Sequence, residues 1–482
     1  MYRVVFLGVL LFLLLRLLSL AILPIFNDES IYMVWGGRLL EDWGAKTFIS
    51  IDGKQIGTPI IYGFTQYLPF DPLISGRLIN VLFSLITYFA IVTIYIKYLK
   101  GKNLFPLILL LTFNPYVLLY DRLAIPDSII TALYSLALLV VFRLRGKFQI
   151  WDSIILGAII AIGWYVKSTI LLFFMPLVFF YVFSFIKEKE LRKQIVLSIV
   201  AVFLAFYVII LPHLEHPLYK KMQGRDIKRI LSISEVMAFP IKNWLTNAKQ
   251  IVMLILGYGT PLVFISMIFA IKRSLREFVL PVLFLIIPIF FELFFLNYID
   301  ARYLIVVSPL ILLIAALYLD TSTLNKKVFS YITIGVVLIS GVLIAFFPLK
   351  YYQAIQFIPV MKNDFSQYVT GWTSGYGVKE ATDWLWNKSR ERPMFVFIRD
   401  DSGNPEEGTV VYMRKNERVI VLPVGMLDEL YKNKDRLILR DPRFYFVSRG
   451  TQMGGIESKV KLAVKFPKPL DPEYVGVYEI VR

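Results

Sequence analysis

Long apolar runs, separated by short loops that alternate in charge, constrain this chain more than any other feature. The runs are about 17 to 25 residues long, the length a helix needs to cross roughly 30 Å of hydrocarbon. They fall near residues 4–25, 73–96, 104–120, 127–143, 151–166, 168–186, 194–212, 250–271, 278–297, 303–319 and 328–348. Every second loop is a cluster of lysine and arginine: Lys97 to Lys102, Arg143 to Lys147, Lys187 to Lys193, Lys272 to Arg276, and Lys326-Lys327. Such a bias marks the cytoplasmic side of a membrane protein. It predicts roughly eleven spans, an amino terminus inside and a carboxyl terminus outside. The first run has no small-residue cleavage pattern after it and reads as a retained span. The turn at Tyr165 to Ser168 must separate two spans, because fusing them would invert every later loop.

Composition agrees, with 57% hydrophobic and only 18% charged residues. A soluble protein carries about a quarter charged residues. The net charge of +17 is concentrated mostly in short loops between spans, which argues against nucleic acid as a partner. With no cysteine, disulfides, thiolate metal sites and cysteine nucleophiles are excluded. The expected fold is thus a polytopic α-helical membrane protein over residues 1–350, followed by a different kind of domain over 351–482.

That second part alternates helical and strand patterns. Helices are expected at 378–388, after the start signal Asn404-Pro405-Glu406-Glu407, and at 426–434. Strands are expected at 394–398, 419–422, 444–447, 461–464 and 477–480. This reads as a small extracytoplasmic α/β domain with a largely parallel sheet. No glycine-rich phosphate loop opens any of its helices, so a nucleotide is not expected there.

The first outer loop, residues 26–72, opens on Phe26-Asn27-Asp28-Glu29-Ser30. Two carboxylates at the membrane boundary admit two readings. They can form an ordinary helix cap, or a general base poised over a site open to lipid. The following segment, with Ile31, Val34, Trp35, Leu39 and Trp43 on one face, is expected to be a helix lying in the membrane interface. The fourth outer loop, residues 213–250, breaks the charge rule with Lys220, Lys221, Arg225, Lys228, Arg229, Lys242 and Lys249. These cations suit anionic lipid headgroups or the escort of a lipid phosphate.

Ionisable residues beside spans each need a partner or a purpose. On the outer side they are Asp28, Glu29, Asp121, Arg122, Asp127, Lys167 and Arg302. Their convergence would make a site for an anionic, lipid-linked substrate. Each also has a plainer reading. Asp127 can cap a helix with Ser128 behind it, Lys167 can snorkel, Asp121 can pair with Arg122, and Arg302 with Asp300. Arg122 offers a planar fork suited to phosphate, and lysine is a common phosphate binder. His213, Glu215 and His216 form HLEH, whose ligand types admit a divalent metal although the HExxH frame is absent.

The order of these features resembles a known family. One span, Asp28-Glu29, a long first loop, then Arg122 with Asp127-Ser128 in the pattern R-x-x-x-x-D-S, and Arg302-Tyr303 opening a later span, is similar to the GT-C membrane glycosyltransferases of family 39. That family includes protein O-mannosyltransferases and bacterial lipid A aminoarabinose transferases. The resemblance covers about residues 1–320. The segment Gly371-Trp372-Thr373-Ser374-Gly375-Tyr376-Gly377-Val378-Lys379-Glu380 looks like one in prokaryotic relatives with an added outer domain. There is no MIR-type β-trefoil domain and no WWD motif, so neither a protein acceptor nor sequon glycosylation follows.

The resemblance implies a sugar donor on a polyprenyl phosphate and an acceptor (lipid, glycan or protein) on the extracytoplasmic face of a prokaryotic plasma membrane. It implies Asp28 as general base with Glu29 beside it. Arg122, Lys167 and Arg302 would then face the donor phosphate, with Asp121, Asp127 and Tyr303 supporting them. Sugar inversion would follow from a single displacement. The other class consistent with intramembrane charges is a transporter or flippase of a polar or lipid-linked substrate, though no repeated halves support it.

Overall fold

A chain in hydrocarbon must satisfy its own backbone polar groups, so apolar runs of spanning length become helices. The computed structural model describes residues 2–41, 54–222, 230–258, 260–320, 324–400, 403–432, 441–450, 452, 455–470 and 472–481. Among them, seven helices are long and apolar enough to cross a membrane, and an eighth is counted if Ile241–Gly257 and Pro261–Lys272, bent by 107°, form one span. The other expected spans are helical but shorter. Tyr2–Leu18 and Ile150–Val166 have 17 residues each. The 104–120 run is cut into Phe105–Phe113 and Pro115–Tyr120. The cut has a local cause: Asn114 is extended, its side chain caps the N–H groups of Tyr116 and Val117, and Pro115 opens the new helix. The chain also breaks at Lys167, which is extended between Ile150–Val166 and the 3-10 turn Ser168–Phe173.

Contacts divide the chain into two compact units. The first joins Met1–Leu20, Trp43–Thr58 and Arg77–Met361. Its centre is the helix Pro126–Leu144, 83% of whose most apolar stretch is buried, against 28% for Lys189–Leu214. The exposed Phe179, Phe183, Ile186 and Leu204 are what lipid-facing surfaces require.

The second unit joins Ala21–Asp42, Pro59–Gly76 and Lys362–Arg482. It is built on a five-stranded sheet of order β2-β1-β3-β5-β4, with β1 Met394–Ile398, β2 Val419–Pro423, β3 Arg443–Arg449, β4 Val460–Pro467 and β5 Tyr474–Ile480. β1 pairs parallel with β2 and β3, whereas β5 pairs antiparallel with β3 and β4. The sheet is therefore mixed rather than largely parallel. The link from Pro467 to Tyr474 is too short for the crossover that a parallel pair needs, so β4 and β5 fold back on each other. Phe395, Phe397, Phe446 and Tyr478 fill the core on one face with Leu427 and Ile480.

The helix Asn27–Glu41, expected from its periodicity, also belongs to this unit. Its buried face carries Met33, Val34, Gly36, Gly37 and Leu39. Gly36 lies against Gly63 of the helix Gly57–Gly63 so closely that an added Cβ would come within 2.6 Å of the Gly63 Cα. Protein covers this part of the helix, whereas Ile31 and Trp35 of the expected apolar face are half-buried. Residues 42–53, including Trp43, and residues 223–229, including Arg225, Lys228 and Arg229, lie outside the described residues.

Candidate functional site

The acidic pair is split by the helix it opens. Helix Asn27–Glu41 begins at Asn27, which puts Glu29 in the first turn facing back toward Phe26. Glu29 is fully buried, and its Oε2 accepts the Phe26 N–H at 2.7 Å. This is one half of a capping box. Asp28, one residue earlier, is half-buried. Successive helical residues project in different directions, so one acid can cap while the other remains accessible.

In the helical unit the remaining candidates form two groups. The first surrounds Asp121. Its Oδ2 receives Arg16 Nε at 2.9 Å and Nη2 at 2.7 Å, and Ser128 Oγ donates to Oδ1 at 3.3 Å. Arg16 is wholly buried, lies 3.4 Å from the Phe12 ring centroid, and donates to the carbonyls of Leu111 and Thr112. Asp121 therefore pairs with Arg16, 105 residues away, and not with its neighbour Arg122. Arg122 is itself buried and gives its fork to four backbone carbonyls: Leu118 at 2.9 Å, Ser19 at 3.0 Å, and Ala345 and Ile344 at 3.1 Å. Those carbonyls close the ends of separate segments, so Arg122 ties the loop after Tyr120 to two other parts of the unit.

The second group brings together residues from four places in the sequence. Lys167 Nζ donates to Asp127 Oδ1 at 2.7 Å and stands 5.8 Å from the Tyr303 ring centroid. Asp127 is buried in the first turn of Pro126–Leu144, while the Lys167 side chain keeps 22% exposure. Glu292, inside the apolar run Phe290 to Phe295, is buried and within electrostatic reach of Lys167. Among the described residues, Asp127 Oδ2 and Glu292 Oε2 have no hydrogen-bond partner. Arg302 pairs with Asp300 at 3.6 Å, next to Tyr303. Sequence reasoning missed Arg16 and Glu292. Both carried a signal, a lone charge inside an otherwise apolar run.

The histidines do not assemble a metal site. His213 ends the helix Arg192–Leu214 and packs edge-on among Trp164, Tyr165 and Tyr219, with Tyr219 4.3 Å away. Glu215 turns outward to Lys220 at 2.6 Å. Residues two apart at a helix end do not share a face, and no three metal-ligating side chains meet among the described residues. Lys242 and Lys249 are on the helix Ile241–Gly257, both exposed. Also in the helical unit, a small cavity of about 30 Å³ is lined by apolar side chains including Leu254, Phe264, Leu304 and Ile311. Asn114, Tyr116 and Ser308 add its few polar groups.

Comparison with known proteins places this geometry. The sequence model of the dolichyl-phosphate-mannose-protein mannosyltransferases matches residues 58–215. No curated protein matches by sequence. Among solved structures, ArnT from Cupriavidus metallidurans bound to undecaprenyl phosphate superposes with a TM-score of 0.63 at 13% identity, covering 98% of this chain and 97% of that one. Its apo form gives 0.60 at 12% identity, covering 99% and 98%. At such identities the likeness speaks for the fold, and it extends over both units, the C-terminal sheet included. The chain therefore shares the multi-pass helical fold of ArnT, and its segment 58–215 is similar to the mannosyltransferase family.

Proposed function

We propose that this protein moves a sugar from a polyprenyl-phosphate donor to a hydroxyl group on the extracytoplasmic face of a prokaryotic plasma membrane, with Asp28 as general base. The supporting observation is the split of the acidic pair: Glu29 is buried in closing its helix, and Asp28 beside it is half-buried. The acceptor O–H gives its proton to the Asp28 carboxylate as its oxygen attacks the anomeric carbon. The bond from that carbon to the phosphate oxygen breaks, and the lipid phosphate leaves with the electron pair. One displacement inverts the sugar carbon. Positioned proton removal contributes about 10²–10⁴-fold, and cations facing the departing phosphate lower the barrier further.

Lys167 and Arg302 are our assigned phosphate contacts, since each keeps about a fifth of its side chain exposed. Arg122, engaged by four carbonyls, is assigned to holding the loop in place. Asp127 and Tyr303 position Lys167, and Asp121 anchors the loop through Arg16. The undecaprenyl phosphate bound by the similar ArnT supports a donor of this chemical class.

The test is product analysis by mass spectrometry with purified protein and a panel of polyprenyl-phosphate sugars. Asp28→Asn should lower turnover by about 10²-fold or more. Wild-type turnover in that variant would remove the base assignment. Substrate uptake into proteoliposomes without a glycosidic product would replace the enzyme by a transporter.

A further inference from the structure

The second unit contains a clasp on the turn that carries Asp28. Asn404 lies 377 residues beyond Asn27, yet its backbone N–H and its side-chain amide are spent around that turn. Its backbone N–H donates to Asn27 Oδ1 at 3.0 Å. Its Nδ2 donates to the Ile25 carbonyl at 2.9 Å and the Thr373 carbonyl at 3.2 Å. Its Oδ1 accepts Ser30 Oγ at 3.2 Å. Asn404 thus grips residues on both sides of Asp28 while being only 1% exposed.

Three further observations say that the grip is built. Thr373 closes the circle, because its carbonyl also accepts the Asn27 N–H at 3.0 Å. Arg449 supports Asn404 from behind: its Nε donates to the Asn404 carbonyl at 2.8 Å, while it stacks 4.3 Å from the Trp372 ring and pairs with Glu406 at 3.2 Å. Gly403 has φ +125°, and a Cβ there would come within 2.2 Å of Asn27 Oδ1. Only glycine allows the backbone so near.

We infer that Asn404 is a positioning residue for the reaction, holding Asp28 through Asn27, Ser30 and Ile25. This rests on the reading of Asp28 as base. It also gives the Gly371-to-Gly377 segment a task, since Thr373 is half of the grip and Lys468 Nζ secures its neighbours Gly371 and Ser374 at 2.7 and 3.0 Å. Freeing the turn lets the carboxylate wander, and a misplacement of about 1 Å can cost about 10²-fold in rate.

The experiment uses the full chain in lipid nanodiscs, with the polyprenyl-phosphate sugar that the wild type turns over. In Asn404→Ala, kcat should fall about 10- to 100-fold, with the donor KM within about threefold, because the phosphate contacts are untouched. Amide exchange over residues 25–34 should speed up at least about tenfold, with the β1 and β3 peptides unchanged. Should Asn404→Ala fail to fold, Ser30→Ala removes the hydroxyl shared between the Asn27 carbonyl at 2.8 Å and Asn404 Oδ1 at 3.2 Å, and should cost kcat about two- to fivefold. Asn27→Ala and Asn404→Ala should be non-additive when combined. Unmoved exchange at 25–34 in Asn404→Ala, or faster exchange with wild-type kcat, overturns the inference. The two readings separate cleanly: normal turnover in Asp28→Ala sinks the base, whereas unmoved exchange sinks the clasp whatever Asp28→Ala does.

Discussion

Two charged groups in the helical unit look alike in sequence and differ in how far their hydrogen bonds are satisfied. Around Asp121, the Arg16 guanidinium meets the carboxylate and two nearby carbonyls, and Arg122 meets four more. Around Lys167, a single short pair to Asp127 coexists with buried carboxylate oxygens on Asp127 and Glu292 that have no partner among the described residues. A buried charge with all its capacity used holds structure, whereas one with capacity to spare is where a ligand can gain by binding. The first group is a fastening, and the second is the one we propose as a site.

The largest expected effect tests the fastening. Arg16→Met leaves Asp121 buried without its counter-ion and should cost about 3–5 kcal/mol, read as a lowered thermal midpoint in detergent. Arg16→Met with Asp121→Leu should regain most of that loss, because a packed apolar pair can replace a buried ion pair. Turnover of the folded fraction should be unaffected in both. A loss of donor affinity instead would erase the distinction.

The same contrast recurs in the second unit between adjacent acids. Glu406 is held by Arg449 at 3.2 Å and approached by Arg399 at 3.8 Å. Glu407 is buried, and desolvation pushes its pKa up to about 7 despite the N–H bond it accepts from Gly403. Because the folded pKa lies above the unfolded value, the protonated form is the stabilising one. That stability is complete below about pH 4.5 and is lost as pH rises through 7, by about 3 kcal/mol in all. Glu407→Gln cannot ionise and should flatten this slope in thermal melts from pH 4 to 8. An unchanged slope would assign the dependence elsewhere.

Next in size is the site itself. Asp127→Asn with Lys167→Met removes both charges together and should leave the thermal midpoint within a few degrees. Losing one charged contact worth about 1.5–3 kcal/mol should raise the donor KM about 10- to 100-fold. A collapse of stability with unchanged KM would make this pair a second fastening. The smallest effect is expected at Arg302→Gln. Its pair with Asp300 is partly exposed and worth at most about 1 kcal/mol, so only a several-fold rise in KM should appear.

Much of this was legible without coordinates. Each apolar run became largely helix, although the loop expected at Lys272 to Arg276 lies inside the single helix Pro261–Phe295 and the break falls instead before Pro261, and all five strands lie where alternation and punctuation put them. The first-turn position of Glu29 and the ion pair of Arg302 with Asp300 were readable because each depends on residues within a turn of chain. The partners of Asp121 and Asp127 were not, since they lie 105 and 40 residues away. Neighbouring Asp121 and Arg122 invited a local pair, but residues one apart at a helix end face different ways. The apolar face of Asn27–Glu41 could be recognised, but not whether lipid or protein covers it.

What the chain alone determined is therefore its hydropathy-driven architecture and the local geometry of its turns, because both follow from the length of a run and from bonds within one helical turn. Tertiary structure alone decided which charges are saturated and which retain capacity. It also brought Asn404 to the turn of Asp28. Those outcomes depend on which segments pack side by side, and packing can join residues at any separation along the chain.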